Sequence, residues 1–299
     1  MSNLSPYVTL NNGVVMPLLG FGTFQPSASQ GLGISDETAE EAVFAALKAG
    51  YRLIDTAAFY RTEAAVGRAV RRAADELGIM RTDIFITSKL WVSDTSYDGA
   101  LHAYEKSLKH TGLDYLDLYL IHNPMNDVFG AWRALSKLLK NEEVRAIGVS
   151  NFSRARLEDF MSFNEIVPQV NQVEINVLHQ QIDDVNYMRD YEILPQAWAP
   201  FARGKNDIFY HEVLQEIAKK HKKTVAQVIV RWLLQRGIAV IPKSTTPARI
   251  SQNYDVWDME LTEDDMHSIG AMDTATSQFF DWTDPAVFRR LANLPYADK

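Results

Sequence analysis

The sequence predicts an α/β barrel of eight parallel strands, each followed by a helical crossover. Two observations carry this expectation. Short aliphatic and β-branched runs alternate with stretches of helical periodicity about eight times. No linker or compositional break divides the 299 residues. A single domain over residues 1–299 follows, closed as a (β/α)8 TIM barrel instead of opened as a doubly wound sheet.

The candidate strands are Leu18-Gly20, Arg52-Asp55, Ile84-Lys89, Leu116-His122, Arg145-Val149, Val170-Ile175, Leu194-Trp198 and Ala239-Pro242. Each is nearly continuously apolar, as strands covered on both faces are. Between them, Ala39, Val43, Ala46 and Leu47 keep one helix face apolar until Gly50 ends it. Phe129, Trp132, Leu135 and Leu139 do the same further on. Before the first barrel strand, Val8-Leu10 and Val14-Met16 flank Asn11-Asn12-Gly13, a loop with hairpin chemistry. This N-terminal β-hairpin is expected to plug the barrel's lower end. Beyond the eighth strand, Asp264 to Ala271 reads as an extra C-terminal helix, and the tail from Thr276 carries Phe279, Phe280 and Trp282.

Composition narrows the function classes. A hydrophobic content of 46% supports a substantial core and excludes disordered and collagen-like architectures. With 38 acidic against 30 basic side chains, the net charge of -8 argues against nonspecific capture of nucleic acid or anionic membrane. An anionic ligand therefore needs a local basic pocket. The absence of cysteine excludes disulfides, thiolate metal sites and cysteine nucleophiles, and makes a reducing cytoplasm the expected home. The start Met1-Ser2-Asn3-Leu4-Ser5-Pro6 has no basic region followed by an apolar stretch, so no signal peptide is expected. Apolar runs such as Leu118-Tyr119-Leu120-Ile121 fall far short of the roughly 20 residues that span a bilayer. The expectation is a cytoplasmic monomer that takes a small molecule and neither nucleic acid nor membrane.

In such a barrel, chemistry sits at the carboxyl ends of the strands. Strand two ends at Asp55 with Tyr60 just beyond, strand three at Lys89 and strand four at His122. Together these form a proton-transfer set: an ammonium beside a phenol favours phenolate, a carboxylate holds that ammonium charged, and an imidazole can orient an oxygen. Singly, each also has an ordinary role, Asp55 as a turn cap, Tyr60 in packing, Lys89 solvated and His122 as a satisfied core histidine. Four at adjacent strand ends make the chemical reading the stronger one.

Other chemistries fit less well. The seven histidines include no pair spaced His-x-x-x-His, so no metal is expected. Gly148-Val149-Ser150-Asn151-Phe152 lacks the second glycine of a nucleophile elbow. Gly20-Phe21-Gly22 and Gly31-Leu32-Gly33 begin like a dinucleotide fingerprint but lack its last glycine. After the eighth strand, Ile241-Pro242-Lys243-Ser244-Thr245-Thr246-Pro247-Ala248-Arg249 opens a helix with Pro247 near its first turn. Lys243, Ser244, Arg249 and the helix amides suit a phosphate. The same run reads equally well as a solvated loop.

These residues resemble the aldo-keto reductases. Gly50-Tyr51-Arg52-Leu53-Ile54-Asp55-Thr56-Ala57, with Tyr60, Glu63 and Gly67, resembles the family's first signature, and Ile241-Pro242-Lys243-Ser244 with Arg249 and Asn253 resembles its last. Lys89, Leu120-Ile121-His122, Gly148-Phe152 and Val170-Asn171-Gln172 lie between them in the family's order. The resemblance implies NADPH-dependent reduction of aldehydes or ketones without a Rossmann fold. It implies a catalytic tetrad of Asp55, Tyr60, Lys89 and His122, with Tyr60 as proton donor. It also implies Ser150, Asn151 and Gln172 on the nicotinamide carboxamide, Trp198 stacked on that ring, Lys243, Ser244 and Arg249 on the 2'-phosphate, and Asn253 near adenine. Phe24, Phe59, Trp91 and Asn123 are the expected substrate walls. The short stretch Ala199-Asp207 is similar to the compact bacterial branch that reduces keto sugars, keto acids and small dicarbonyls. The chain departs from common family forms at Arg61-Thr62-Glu63, at Trp198 where tyrosine is frequent, at the neutral Gln252, and at Glu174-Ile175-Asn176. It also has Asn123-Pro124 for the frequent Trp-Pro, which removes a bulky pocket wall. Two rivals stay open: an NADPH-binding regulatory barrel with little turnover, and a Schiff-base aldolase using Lys89.

Overall fold

The fold is a computed structural model, described over residues 6–24 and 35–294. The Gly31-Leu32-Gly33 run and the first five residues lie outside them. Its strands are β1 (Tyr7–Thr9), β2 (Val15–Pro17), β3 (Phe21–Gly22), β4 (Leu53–Asp55), β5 (Phe85–Leu90), β6 (Leu116–Ile121), β7 (Val144–Ser150), β8 (Val170–Glu174), β9 (Leu194–Trp198) and β10 (Ala239–Val240). Strands β3 to β10 pair in chain order, all in parallel. The ring closes because the Gly20 amide donates to the Val240 carbonyl at 2.9 Å and the Val240 amide to that of Leu18 at 2.8 Å. The result is a (β/α)8 TIM barrel.

The first barrel strand corrects the expected Leu18-Gly20. That stretch bonds to β10, while the ladder with β4 falls on Phe21–Gly22, so one chain segment serves its two neighbours at staggered levels. Such a stagger is the shear that barrel closure demands. The eighth strand is likewise shorter than Ala239-Pro242.

The first helix, α1 (Asp36–Ala49), starts on a Ser35 cap that accepts from the Thr38 amide. It stops at Gly50, whose φ of 112° suits glycine and whose amide reaches the Ala46 carbonyl. Around the barrel follow α2 (Glu63–Leu77), α3 (Tyr97–Thr111), α4 (Val128–Lys140), α5 (Arg154–Ser162), α6 (Ile182–Asp190), α7 (Glu212–His221), α8 (Val225–Gln235) and α9 (Pro247–Tyr254). Their apolar faces bury Val43, Leu47, Trp132, Leu135 and Trp232 against strands that are themselves buried almost throughout. Two helices lie beyond the barrel: the expected one, α10 (Glu263–Gly270), and α11 (Pro285–Ala292), which forms within the tail beyond Thr276. None of the described helices is long and apolar enough to cross a membrane.

The β1–β2 hairpin sits where a plug belongs. Asn11 Nδ2 donates to the Pro168 carbonyl and Asn12 Nδ2 to that of Arg145. Both carbonyls lie at the amino-terminal starts of β8 and β7, so the hairpin covers that end and the opposite mouth is left for the site.

Candidate active site

Asp55 ends β4 and Lys89 lies inside β5, both pointing into the barrel, and both are almost wholly buried. The Lys89 ammonium donates to Asp55 Oδ1 at 2.6 Å, to the Thr56 carbonyl at 3.0 Å and to the Tyr60 hydroxyl at 3.3 Å. Its three protons are thereby used. Tyr60 is held by the tight turn Ala58–Tyr60, which Arg61 ends in a left-handed conformation (φ 57°). His122 follows β6 and meets the Tyr60 ring edge-on, 5.5 Å between centroids. The four tetrad candidates converge on one mouth of the barrel.

Burial governs their protonation. Desolvation pushes the Tyr60 phenol well above its usual value, and the Asp55 charge adds to this. The net shift is upward, opposite to the lowered phenol expected from the sequence, and the Arg203 guanidinium offsets it only in part. Desolvation and the Lys89 charge hold His122 well below its usual value, so its imidazole is neutral. Its Nδ1 is buried with no hydrogen-bond partner among the described residues.

Strand register builds the neighbouring layer. Ser150 pairs with Gln172 across β7 and β8, and Gln172 with Gln196 across β8 and β9, which sets the three in one row. Ser150 Oγ donates to the Gln172 carbonyl at 2.7 Å. Gln172 Nε2 donates both to Asp55 Oδ2 at 2.8 Å and to Gln196 Oε1 at 2.7 Å. The carboxylate fixes which way that amide faces, because an amide oxygen turned toward it would be repelled. Asn151 Nδ2 donates to the His122 carbonyl and to Asn123 Oδ1, while its own Oδ1 accepts from Trp198 Nε1 at 2.9 Å. With these donors occupied, Ser150, Asn151 and Gln172 offer acceptors, which suits the two N–H groups of a primary amide.

A cavity of about 430 Å³ opens over this layer. Every expected substrate wall lines it: Phe24, Phe59, Trp91 and Asn123. Phe59 and Trp91 stack with centroids 3.8 Å apart, and Phe24 packs on Tyr60 at 4.8 Å. Phe280 and Trp282 from the tail close one side, with Phe279 packed behind on Trp198 at 5.4 Å. A second cleft of about 920 Å³ holds Ser244, Arg249, Gln252 and Asn253. Lys243 lines both spaces, which makes them neighbours. Burial lowers its ammonium to about 8, poised to regain charge stabilisation from an anion. The two spaces together present hydrogen-bond acceptors at one end, the Trp198 ring beside them and cationic side chains at the other. Among the described residues no group of three or more His, Asp or Glu is placed to hold a metal.

Sequence reasoning missed three contributors. Arg203 lines the smaller cavity from the loop after β9, Leu291 reaches it from α11, and Gln196 braces Gln172 from the neighbouring strand. The Asp284-Pro285 start of α11 is a visible signal, a side-chain cap followed by proline in the first turn. Nothing in the short polar run around Arg203 announces its direction.

A barrel that gathers a carboxylate, an ammonium, a phenol and a neutral imidazole at its upper mouth, beside a cation-lined cleft, defines a class of barrel oxidoreductases. Residues 18–274 match the model of the aldo/keto reductase family, and the chain belongs to that family. It is 46% identical over 272 residues to the uncharacterized oxidoreductase YtbE of Bacillus subtilis (strain 168), covering 91% of this chain and 94% of the relative. Glyoxal reductase of the same organism is 45% identical over 272 residues with the same coverage. The crystal structure of a Bombyx mori aldo-keto reductase in complex with NADP matches with a TM-score of 0.88 at 32% identity, covering 96% of this chain and 98% of that one.

Proposed function

We propose that the protein reduces small aldehydes and ketones to alcohols with NADPH, Tyr60 being the proton donor. The observation that carries this is the Asp55–Lys89–Tyr60 chain, 2.6 Å and 3.3 Å long in its two links, set under a cavity walled by aromatic rings. When bound, NADPH supplies a hydride to the carbonyl carbon. Ser150, Asn151, Gln172 and Trp198 hold its nicotinamide end, and Lys243, Ser244 and Arg249 its 2'-phosphate, with Asn253 beside adenine. Family membership and the NADP held by the silkworm relative support that cofactor.

Tyr60, kept protonated by burial, gives its proton to the carbonyl oxygen as negative charge develops there. Lys89 then stabilises the phenolate left behind, and Asp55 keeps Lys89 charged. Neutral His122 orients the carbonyl oxygen by donating a hydrogen bond. The likeness to a relative named glyoxal reductase, with the small cavity, supports short carbonyl and dicarbonyl substrates.

The aldolase rival needs a neutral, accessible amine on Lys89. Here the amine is buried and all its protons are engaged, which counts against it. The regulatory rival is separated by turnover: steady NADPH oxidation on an aldehyde panel supports the enzyme. Tyr60→Phe removes the transferable proton alone, so it should lose roughly 10²–10⁴-fold in kcat while holding NADPH nearly as the parent does. Activity within a few-fold of the parent would falsify the assignment.

A further inference from the structure

The geometry points to Arg203 as a specificity determinant that favours carbonyl substrates bearing a carboxylate or phosphate. This rests on the carbonyl-reductase reading above and names a substrate class within it. The Arg203 guanidinium lies 5.0 Å from the Phe24 ring centroid and 4.7 Å from that of Phe279, held between two faces. Cation–π contact fixes the plane but consumes none of its N–H donors. Among the described residues it makes no ion pair and no hydrogen bond. Glu174, the acid whose field reaches it, is already engaged by Ser277 Oγ, the Gln278 amide and Asn176 Nδ2.

The placement is costly, which argues that it is specified. Ala199, Ala202, Arg203, Asn206 and Asp207 all have left-handed backbones without being glycine. The loop is pinned across the cavity where Lys205 bonds the Gln278 carbonyl and Asn206 Nδ2 reaches Gln278 Oε1 at 2.5 Å. In the smaller cavity the charge of Asp55 is matched by Lys89, so Arg203 and Lys243 leave the wall cationic although the chain carries -8. Lys243 also lines the larger cleft and is assigned there to the cofactor phosphate; Arg203 lines the smaller cavity alone. Arg203 is exposed at the chamber's edge, so its unbonded donors are open to a carboxylate or phosphate on the substrate.

The test compares 4-carboxybenzaldehyde with its uncharged ester, methyl 4-formylbenzoate, in the wild type, Arg203→Met and Arg203→Lys, with NADPH affinity titrated in each. The wild type should prefer the acid, and Arg203→Met should cut the acid-to-ester ratio of kcat/KM by roughly ten- to a hundred-fold, mostly through KM. Arg203→Lys should recover part of the ratio, since charge survives without the planar fork. An unchanged ratio in Arg203→Met overturns the inference. So does a ratio that stays fixed while NADPH affinity drops, which would hand the guanidinium to the cofactor's diphosphate. If the wild type turns over neither aldehyde nor any other carbonyl, the carbonyl-reductase reading falls and takes this inference with it.

Discussion

The Gln172 side-chain nitrogen and the Asp55 carboxylate are 2.8 Å apart, which ties the proposed proton-transfer chain to the layer proposed for the nicotinamide. One carboxylate therefore faces both ways, with Oδ1 on Lys89 and Oδ2 on Gln172. Changes at Asp55 should disturb proton transfer and cofactor seating together, and changes at Lys89 proton transfer first.

Lys89→Met tests that separation. Removing the ammonium leaves Asp55 buried and unpaired, which costs about 3–5 kcal/mol of stability. It also leaves the Tyr60 phenolate without its neighbour, so activity should fall and its alkaline limb should move up in pH. The double variant Lys89→Met, Asp55→Asn should regain much of the stability and none of the activity. Parent-like pH profiles in Lys89→Met would break the proposed link between Lys89 and Tyr60.

Lys243, as the proposed partner of the 2'-phosphate, should make cofactor affinity depend on pH. Its free ammonium titrates at about 8, and a phosphate dianion beside it raises that value. A group whose pKa rises on binding favours the complex below its free pKa and withdraws that support as pH climbs through it. NADPH affinity should hold from pH 6.5 to 7.5 and then weaken, by up to about ten-fold per pH unit until the pKa of the complex is passed. NADH affinity should stay flatter. Titrations across this range decide it, and parallel slopes for the two cofactors would remove Lys243 from the phosphate.

Much of this site was legible because parallel barrel strands are apolar on both faces. Against such strands Asp55, Lys89 and His122 stand out at the ends, and chain order then dictates that they meet. Other features needed the fold. The stagger of Leu18-Gly20 against Phe21–Gly22 depends on closure between the first and last strands, which are far apart in sequence. The sign of the Tyr60 shift depends on how much water burial removes, and no spacing of residues reports that. Arg203 depends on a run of left-handed non-glycine residues, for which local turn chemistry gives no cue.

Gly67 belongs to the stretch that resembles the family's first signature, and the structure supplies a physical reason for glycine there. A Cβ there would lie 1.7 Å from the Thr111 carbonyl oxygen, where α2 crosses the end of α3. Gly→Ala within a helix normally stabilises by about 1 kcal/mol. Here the contact is with backbone, which cannot rotate away, so the helices must part. Gly67→Ala should destabilise by about 1–3 kcal/mol and lower Tm. A raised Tm would mean that the crossing relaxes freely.

Cofactor choice gives the sharpest charge-based test. A chain of net charge -8 must offset its own field locally to hold a dianionic 2'-phosphate. Lys243, Ser244 and Arg249 share one cleft, and Arg249 stands in the opening turns of α9. Ser244 Oγ already accepts from the Thr246 amide at 3.1 Å, which leaves its hydroxyl proton to donate. Arg249 should matter most for preference, because its fork makes paired, charge-assisted bonds to a phosphate, whereas NADH offers a hydroxyl at that position. Arg249→Ala should weaken NADPH binding by about 1.5–3 kcal/mol, roughly ten-fold to over a hundred-fold, and leave NADH binding almost unchanged. Titration of both cofactors by quenching of tryptophan fluorescence measures the two losses side by side. Equal losses would show that Arg249 supports the opening of α9 instead of reading the phosphate, and the preference for NADPH would then have to come from Lys243 and Ser244.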